Sequence, residues 1–371
     1  MKKYINVYAY FAQNLGDDLM VDLLVKRFPK FRFYTEREIK NPFLLKNKNF
    51  GDAGFYKEKY QKLGKWIDKL LKNPEGSFVE KQIKKIQGNR FCSVLIGGSI
   101  FMQRGALSEA QVRACMHRNN SYLNYGPLFA MGANFGAHFT EYFKTSFAEH
   151  FKKCAGVSFR DKASYDMFSH LPNINYSPDL VFSLENIPKG RENTGEILVS
   201  VIDLSTKYGI EKYAESYENF VSEFCKYIVD IGKTPVLMSF CKAEGDEAAI
   251  ARIQTKMGEF ANGTKTYFYD GDMEKALQRI ADCDFVLASR FHAVVLALLF
   301  KKRFFALSYD MKIDNMLRDL NSKLYCGIDK LENISPKEIF EKERDISDIT
   351  DYIKNAKGHF DQLGEYLKNV R

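Results

Sequence analysis

The sequence predicts an α/β protein made of two Rossmann-like domains that face each other across a cleft. Its 371 residues are too many for one ordinary core, since domains usually close at about 100–200 residues. Short apolar segments alternate along the chain with longer amphipathic ones, a pattern typical of parallel sheets with helices on both faces. A polar stretch with one proline and two glycines, residues 183–196, precedes a fresh apolar segment and predicts the domain boundary.

Ten apolar segments are predicted to be strands, with helical patterns between many of them. The predicted strands are residues 4–10, 31–34, 93–96, 127–131, 156–159, 196–202, 235–240, 266–269, 285–288 and 304–308. The predicted helices include residues 17–27, 213–231, 246–260, 273–281 and 293–300. We therefore expect an N-terminal domain of residues 1–185, a C-terminal domain of residues 190–346 and a charged helix over residues 347–371 that packs at their junction. The lysine-rich residues 40–85 are expected to form an insertion of surface helices and loops.

The composition is that of a soluble globular protein, with 45% apolar and 27% charged residues. A formal net charge of +8 suits anionic small molecules, lipid surfaces or nucleic acid, and solvated lysines alone explain it equally well. Nucleic acid is disfavoured because the basic residues are spread out and no recognised motif accompanies them.

The cysteines and the lack of long apolar segments indicate in which cellular compartment the protein is expected. Seven scattered cysteines without a CxxC pair argue against a disulfide framework and against a zinc site. No apolar segment of signal-peptide length follows the first two lysines, and none reaches the ~18 residues of a membrane span. These observations predict a reduced, cytoplasmic protein without a bound metal.

Polar residues in the N-terminal half follow the ends of predicted strands, where open parallel sheets bind ligands. Asn14, Asp17 and Asp18 open the first helix, and the aspartates either cap it or face the cleft, where one could take a proton from a hydroxyl. Two glycine-containing turns are either plain tight turns or places where a ligand comes close. The candidate residues in these turns are Gly98, Ser99, Asn134 and His138. Neither turn contains GxGxxG or a P-loop lysine, so nucleotide binding is not indicated.

Cationic side chains at three other strand ends predict an anion site. Arg160 is placed to hold a carboxylate or phosphate bidentately, unless a local ion pair with its neighbour engages it. Arg290 and His292 stand where a buried strand turns into a wholly apolar helix. If Ser289 caps that helix, both side chains lie near its free N–H groups, and they reach one ligand only at the helix end or on extended chain. Lys312 is either a third cation of this site or a solvated lysine.

Seven segments of the chain, in this order, resemble the polysaccharide pyruvyl transferase family. They are NLGDD, GGSIF, GANFG, SFRDKASYD, PDLVFSL, SRFHAVVLAL and FFALSYDMK, and the likeness spans roughly residues 4–320. The resemblance implies a GT-B-like fold and transfer of the enolpyruvyl unit of phosphoenolpyruvate to two hydroxyls of a sugar, giving a cyclic pyruvate ketal. The family's RxH motif matches Arg290 and His292, and its arginine before the D..S pattern matches Arg160. These residues are implied to bind phosphoenolpyruvate. NLGDD departs from the more frequent GDE, which leaves the role of Asp18 open.

The chemistry of this reaction suits the candidate residues. Phosphoenolpyruvate carries a phosphate and a carboxylate, which several fixed cations would stabilise. His292 is the expected general acid, because histidine titrates near neutrality, and Asp17 or Asp18 is the expected base. Neither cofactor nor metal is expected.

Analogy with the family suggests the acceptor, with the N-terminal domain on the acceptor side and the C-terminal domain on the phosphoenolpyruvate side. It is expected to be a hexose such as galactose, in a capsular or other cell-surface polysaccharide or its undecaprenyl-diphosphate-linked precursor. The basic surface would hold the protein near the inner membrane leaflet. Two alternatives stay open: a GT-B glycosyltransferase with a nucleotide-sugar donor, and a glycan- or phosphate-binding protein without turnover.

Overall fold

Two parallel sheets form the framework of the computed structural model, which describes residues 3–72, 74, 76–103, 105–342 and 348–370. The strands are β1 (Tyr4–Tyr8), β2 (Arg32–Thr35), β3 (Phe50–Asp52), β4 (Arg90–Ile96), β5 (Phe101–Met102), β6 (Leu128–Ala133), β7 (Phe135–Gly136), β8 (Gly156–Phe159), β9 (Ile174–Tyr176), β10 (Glu196–Val201), β11 (Thr234–Ser239), β12 (Lys265–Phe268), β13 (Phe285–Ala288), β14 (Arg303–Ser308) and β15 (Tyr325–Gly327). The first sheet has the order β3-β2-β1-β4-β6-β8-β9, the second the order β12-β11-β10-β13-β14-β15, and β5 pairs with β7.

Helices connect most of the strands, as parallel pairing requires. They are α1 (Leu15–Arg27), α2 (Ala53–Leu70), α3 (Ser77–Gly88), α4 (Glu109–Ser121), α5 (Glu141–Phe151), α6 (Lys162–Phe168), α7 (Ala214–Asp230), α8 (Asp246–Met257), α9 (Met273–Ala281), α10 (Phe291–Leu299), α11 (Met311–Asp319), α12 (Pro336–Glu341), α13 (Thr350–Asn355) and α14 (Asp361–Asn369). No helix among the described residues is long and apolar enough to cross a membrane.

The predicted class, with two Rossmann-like sheets in sequence, is confirmed. All ten predicted strands are present, and each sheet lies on one side of residues 183–196. The five strands that were not predicted, β3, β5, β7, β9 and β15, are two or three residues long, too short to show a period. The lysine-rich residues 40–85 contain β3 at the sheet edge as well as surface helices. The exact domain limits stay a prediction, and the last of them falls within residues 343–347, outside the described part of the chain.

The apolar helix α10 lies between the two halves of the molecule. Every residue from Ala293 to Leu299 is buried. The helix packs on β13 and β14 of its own sheet and on the short 3-10 helix Leu180–Ser183 of the first half. The helix is covered on all sides, and this explains why its sequence is apolar and has no polar face.

After the second sheet the chain returns to the first. The ring of Phe360 meets Phe28 of α1, and the ring of Tyr366 in α14 lies 6.2 Å from that of Phe91 and 5.4 Å from that of Phe129, measured between ring centroids. Tyr352 of α13 packs on Phe182. The final helices therefore complete the core of the N-terminal half.

Candidate active site

The start of α1 is where the two halves meet most closely. The backbone N–H of Leu15 donates to the carbonyl of Phe240, at 3.1 Å. Beside it, the Asn14 side-chain amide donates to Glu244 Oε1 at 3.3 Å. Residues that follow β1 are thus held against residues that follow β11, so the carboxyl ends of both sheets face one site.

Asn14 caps α1, and this leaves both aspartates free for other contacts. Its side-chain oxygen accepts from the N–H of Gly16 at 3.0 Å, as an N-cap residue does. The next position needs a glycine, because a Cβ on Gly16 would lie 1.8 Å from Nδ1 of His292. The first turn of α1 therefore packs directly against the ring of His292.

Asp18 belongs to a buried link between the halves. Its Oδ2 accepts from the hydroxyl of Tyr269 at 2.8 Å and from the amide of Asn41 at 2.7 Å. Burial raises the pKa of Asp18 to about 7, although these two hydrogen bonds favour the ionised form. Its other oxygen has no hydrogen-bond partner among the described residues. Asp18 thus ties the halves together rather than standing open to the site.

The side chain of Asp17, one residue earlier, forms no hydrogen bond within the described residues. Burial raises its pKa to about 7, Glu244 and Asp18 add to the shift, and Arg160 and Lys312 oppose it. A carboxyl group in this state is present in both protonation forms near neutral pH. Such a group can accept or deliver a proton.

Arg160 reaches the site from the end of β8. Its Nη1 donates to Asp179 Oδ2 at 3.0 Å and its Nη2 to Asn134 Oδ1 at 2.7 Å. The guanidinium lies 4.1 Å from the ring centroid of Phe291 and directly against Gly98, where a Cβ would come within 2.5 Å of Nη1. Of the local ion pairs open from the sequence, the one with Asp161 is not formed, because Asp161 caps α6, whereas a buried pair with Asp179 is formed.

The glycine-containing turns of the first half contribute unequally. Asn134 holds the arginine and also accepts a hydrogen bond from the hydroxyl of Ser99 at 3.4 Å. His138 lies beside the ring of Phe135, at 5.4 Å between centroids, and no contact within the described residues joins it to the charged cluster. The structure therefore brings Gly98, Ser99 and Asn134 to the site but not His138.

The helix α10 begins at Phe291, two residues before the predicted start, and its N-cap lies one residue after Ser289, the cap considered from the sequence. Its N-cap is Arg290, whose backbone is still extended, with φ −85° and ψ 135°. Ser289, the cap considered from the sequence, does not cap the helix. Its hydroxyl accepts a hydrogen bond from the hydroxyl of Tyr217, and its N–H donates to the hydroxyl of Ser200. The extended backbone at Arg290 satisfies the condition under which it and His292 can reach the same ligand.

Carboxylates hold Arg290 in a buried ion-pair network. Nη1 donates to Glu244 at 2.7 Å, and Nη2 donates to Asp246. Lys207 lies 2.6 Å from the same glutamate. Burial alone would raise the pKa of Glu244, but Arg290 and Lys207 hold it well below its usual range. Neither carboxylate was predicted, although both follow a strand at the start of α8, which is a recognisable signal.

His292 is almost wholly buried in the free protein. Its Nε2 lies 3.8 Å from Asp179 Oδ2 and has no hydrogen-bond partner among the described residues. Burial lowers the pKa of His292 to about 4, and Arg160 and Lys312 lower it further, while Asp179 opposes them. The imidazole is therefore neutral at pH 7, which differs from the near-neutral titration expected from the sequence.

Lys312 belongs to the cluster rather than to the solvent. Its ammonium lies 3.4 Å from Asp310 Oδ2 and 5.1 Å from the ring centroid of Tyr309, and its side chain is largely buried. Burial opposes the charge, but Tyr309 and Asp310 hold the pKa of Lys312 above its usual value. It stays charged and acts electrostatically on Asp17 and His292.

The assembled site is a largely buried group of basic side chains, of which Arg160 and Lys312 are charged and His292 is neutral, beside the carboxyl group of Asp17. Arg160 of the first half and His292 of the second meet at Asp179, a carboxylate that the sequence analysis did not single out, and Lys312 acts electrostatically on the histidine. Burial disfavours ionisation of Asp179, yet His292 and Arg160 keep its pKa below the usual value. Within the described residues no group of three or more His, Cys, Asp or Glu side chains could hold a metal ion. The arrangement suits binding of a small anion and proton transfer beside it.

The fold defines a GT-B-like α/β protein, and the charged cluster between its halves is the candidate site. The model of the polysaccharide pyruvyl transferase family matches residues 14–311, and the chain belongs to this family. The resemblance drawn from the seven segments is confirmed. No curated protein sequence matches the chain.

Solved structures share the fold. UDP-GlcNAc 2-epimerase from Methanocaldococcus jannaschii, in complex with UDP-GlcNAc and UDP, has a TM-score of 0.55 at 11% identity, with all of both chains covered. S. aureus MnaA, solved with UDP, has a TM-score of 0.58 at 10% identity, with 99% of this chain and 97% of that chain covered. Anabaena HepE in complex with UDP-glucose has a TM-score of 0.54 at 11% identity, with both chains fully covered. At these identities the likeness shows the fold alone.

Proposed function

We propose that the protein transfers the enolpyruvyl unit of phosphoenolpyruvate to two hydroxyls of a sugar and so forms a cyclic pyruvate ketal. The observation that carries the proposal is the convergence of Arg160 with His292 and Lys312 in one buried place between the halves. Phosphoenolpyruvate has two anionic groups on three carbons, which matches a compact cluster of cations from both sides. Family membership supports the same reaction.

Unsatisfied nitrogen atoms support a bound anion in this cluster. Arg160 Nε, Arg290 Nε and His292 Nε2 are all buried, and each lacks a hydrogen-bond partner among the described residues. A buried polar group without a partner typically costs about 1–3 kcal/mol, so a bound group that accepts hydrogen bonds from these atoms would stabilise the protein. Phosphate and carboxylate oxygens would accept hydrogen bonds from these atoms once His292 is protonated or holds its proton on Nε2.

The reaction divides into three balanced steps. A proton adds to the methylene carbon, which leaves a cationic centre on the carbon that bears the phosphate. One sugar hydroxyl bonds to that centre and gives up its proton, which balances the proton added to the methylene carbon. The C–O bond to phosphate then breaks with its electron pair on the phosphate, and the second hydroxyl closes the ring on the same carbon while its proton passes to the phosphate. The products are the ketal and inorganic phosphate.

We assign the proton transfers to His292 and Asp17. A bound dianion favours the charged imidazole, which can then protonate the methylene carbon. Asp17, with a pKa raised to about 7, takes the proton of the attacking hydroxyl. Arg160 and Lys312 stabilise the charge of the departing phosphate.

The acceptor is proposed on chemical and family grounds. A sugar with two suitably placed hydroxyls, such as galactose, in a capsular or other cell-surface polysaccharide or its lipid-linked precursor would serve. We place it on the side of the N-terminal half, where Asp17 faces the site, and we place the reaction in the cytoplasm, where phosphoenolpyruvate is made.

Incubation with phosphoenolpyruvate and candidate glycolipid acceptors tests the proposal. We expect release of inorganic phosphate that depends on the acceptor, and a product heavier by pyruvate less one water in mass spectrometry. Phosphoenolpyruvate at about a hundred times its Kd should also stabilise the fold by about 2.7 kcal/mol. Stabilisation and turnover with UDP-glucose instead of phosphoenolpyruvate would overturn it in favour of a nucleotide-sugar glycosyltransferase.

A further inference from the structure

The hairpin of α2 and α3 carries an exposed apolar stripe. Leu63 is 51% exposed, Trp66 63%, Leu70 64% and Leu71 61%. Positions 63, 66 and 70 lie on one face of α2, and Leu71 follows directly at its end. Single exposed apolar side chains are ordinary, but a contiguous group of four large ones marks an interaction surface.

The stripe is not needed to hold the hairpin in place, because the first turns of α2 and the turn after it do that. Tyr56 is fully buried and packs edge-on against Tyr4 of β1, at 6.0 Å between ring centroids. Asp68 is buried and closes the turn between the helices by accepting hydrogen bonds from the N–H of Gly76 and the hydroxyl of Ser77. The exposed stripe is therefore available to a partner.

Lysines surround the stripe. Residues 53–89 contain nine lysines and four acidic residues, a net charge of +5, whereas the entire chain has +8. Lys69, one helical turn from Trp66, and Lys72, next to Leu71, are exposed. The same 37-residue stretch contains no arginine. Most of the excess positive charge of the protein thus sits around its exposed leucines and tryptophan.

We propose that this face of α2 docks on an anionic lipid bilayer, with the helix lying in the plane of the interface. Leucine and tryptophan side chains would enter the boundary between headgroups and acyl chains, and the lysines would meet lipid phosphates. The proposal concerns surface binding and stands independently of the chemistry proposed for the cleft.

The composition favours a bilayer over other partners. Protein interfaces are depleted in lysine and enriched in arginine, which is the reverse of this face. A second copy of the chain would bring two surfaces of the same positive sign together. Nucleic acid would leave Leu63, Trp66 and Leu70 without an apolar environment. An anionic bilayer accommodates both the charge and the apolar side chains.

The chain supplies its own reporter, because Trp66 is its single tryptophan. We expect vesicles of phosphatidylglycerol mixed with phosphatidylcholine to pellet the protein and to shift its tryptophan emission to shorter wavelength. Acyl chains labelled with bromine should quench this emission. Vesicles of phosphatidylcholine alone should bind weakly, and salt should weaken binding to the anionic vesicles, because it screens the lysines.

Variants on the exposed face separate the apolar from the electrostatic contribution. Leu63→Ser with Leu70→Ser, and Lys69→Glu with Lys72→Glu, should each lower vesicle affinity about tenfold or more. Two matched pairs elsewhere serve as controls and should bind like the native protein. They are Ile231→Ser with Phe260→Ser, and Lys153→Glu with Lys337→Glu.

Three results would overturn the proposal. The native protein could stay in the supernatant with unchanged emission at low salt. The control pairs could reduce binding as much as the α2 pairs, which would show attraction by net charge alone. Finally, the protein could dimerise without lipid through a contact that Leu63→Ser with Leu70→Ser abolishes, which would assign the face to a second copy. Unfolding temperatures of all variants, expected near the native value, exclude misfolding as the cause.

Discussion

At the scale of single residues, the site uses a few charged side chains whose environments differ sharply. Burial raises the pKa of Asp17 to about 7 and lowers that of His292 to about 4, although both face the same cations. The carboxyl group thus carries a proton more often, and the imidazole less often, than either would in water. Binding of an anionic donor would favour the protonated imidazole of His292 over the neutral one. Uptake of a proton would thus be coupled to binding of phosphoenolpyruvate.

Arg160 provides the first prediction. Arg160→Lys keeps the charge but loses the planar fork that spans Asn134 and Asp179. We expect kcat/KM for phosphoenolpyruvate to fall by about 10- to 100-fold, with most of the change in KM. Arg279→Lys, at an ion pair with Glu196 outside the cluster, is the control and should retain activity. Equal losses in both variants would contradict a donor-binding role for Arg160.

Asp17 provides the second prediction, through the pH profile. A base must be ionised, so kcat/KM should rise as the pH passes upward through about 7 and level off above it. Asp17→Asn should lower the rate by about 100-fold or more and abolish this rise. Asp18→Asn should keep the rise and move its midpoint to lower pH, since Asp18 contributes to the raised pKa of Asp17. An unchanged profile in Asp17→Asn would remove it from the mechanism.

At the scale of elements, the sequence predicts where the longer strands and helices lie but not the residues at which they begin and end. The ten predicted strands are apolar segments of four or more residues, and their burial in parallel sheets explains the continuous apolar pattern. The cap of α10 was misplaced because Ser289 bonds to Tyr217, which lies 72 residues earlier. Likewise, the partners of Arg290 are acidic residues more than forty positions away. Such pairings arise from the fold, so local propensity cannot indicate them.

Gly16 provides the third prediction, at the start of an element. Alanine is favoured over glycine inside a helix by about 1 kcal/mol, so propensity alone predicts that Gly16→Ala stabilises α1. The added Cβ would overlap the ring of His292, however, and displace the histidine or the helix. We expect a clear loss of activity and no gain in unfolding temperature.

Gly364 in α14 is the matched control for that substitution. A Cβ there would lie 3.8 Å from the ring of Phe28, an ordinary contact distance. Gly364→Ala should therefore leave activity unchanged and stabilise the protein by roughly 0.5–1 kcal/mol. Native activity in Gly16→Ala would mean that the close approach to His292 is dispensable.

At the scale of the whole molecule, the candidate site exists only because two sheets bring their carboxyl ends together. The sequence predicted two such halves and most of the cations, since each follows a strand. It did not predict how the halves are joined: Asp18 of the first half accepts a hydrogen bond from Tyr269 of the second, 251 residues away. The fold is shared with a UDP-GlcNAc 2-epimerase and with MnaA, both solved with UDP, so the fold alone does not define the reaction of this chain.

The link through Asp18 provides the fourth prediction, on stability. Its pKa is about 7 in the folded protein and near 3.9 in the unfolded chain, so folding retains a proton that the unfolded chain releases between those values. The contribution of Asp18 to stability therefore falls as the pH rises from about 4 to 7 and is constant above that. Asp18→Asn can still accept both hydrogen bonds. Its free energy of unfolding should exceed that of the native protein by roughly 1–2 kcal/mol at pH 8 and by little at pH 4. Chemical denaturation at both values measures this, and a difference that does not vary with pH would contradict it.

The return of the last helices to the first sheet has a consequence during synthesis on the ribosome. Phe28, Phe91 and Phe129 emerge early, yet their aromatic partners Phe360 and Tyr366 are translated more than 200 residues later. Part of the core of the N-terminal half therefore stays exposed until those residues are made. The strands of the second half are contiguous in sequence, so that half can fold before then. We expect the second half to mature first on the nascent chain, and any truncation that removes α14 to leave the first half prone to aggregate.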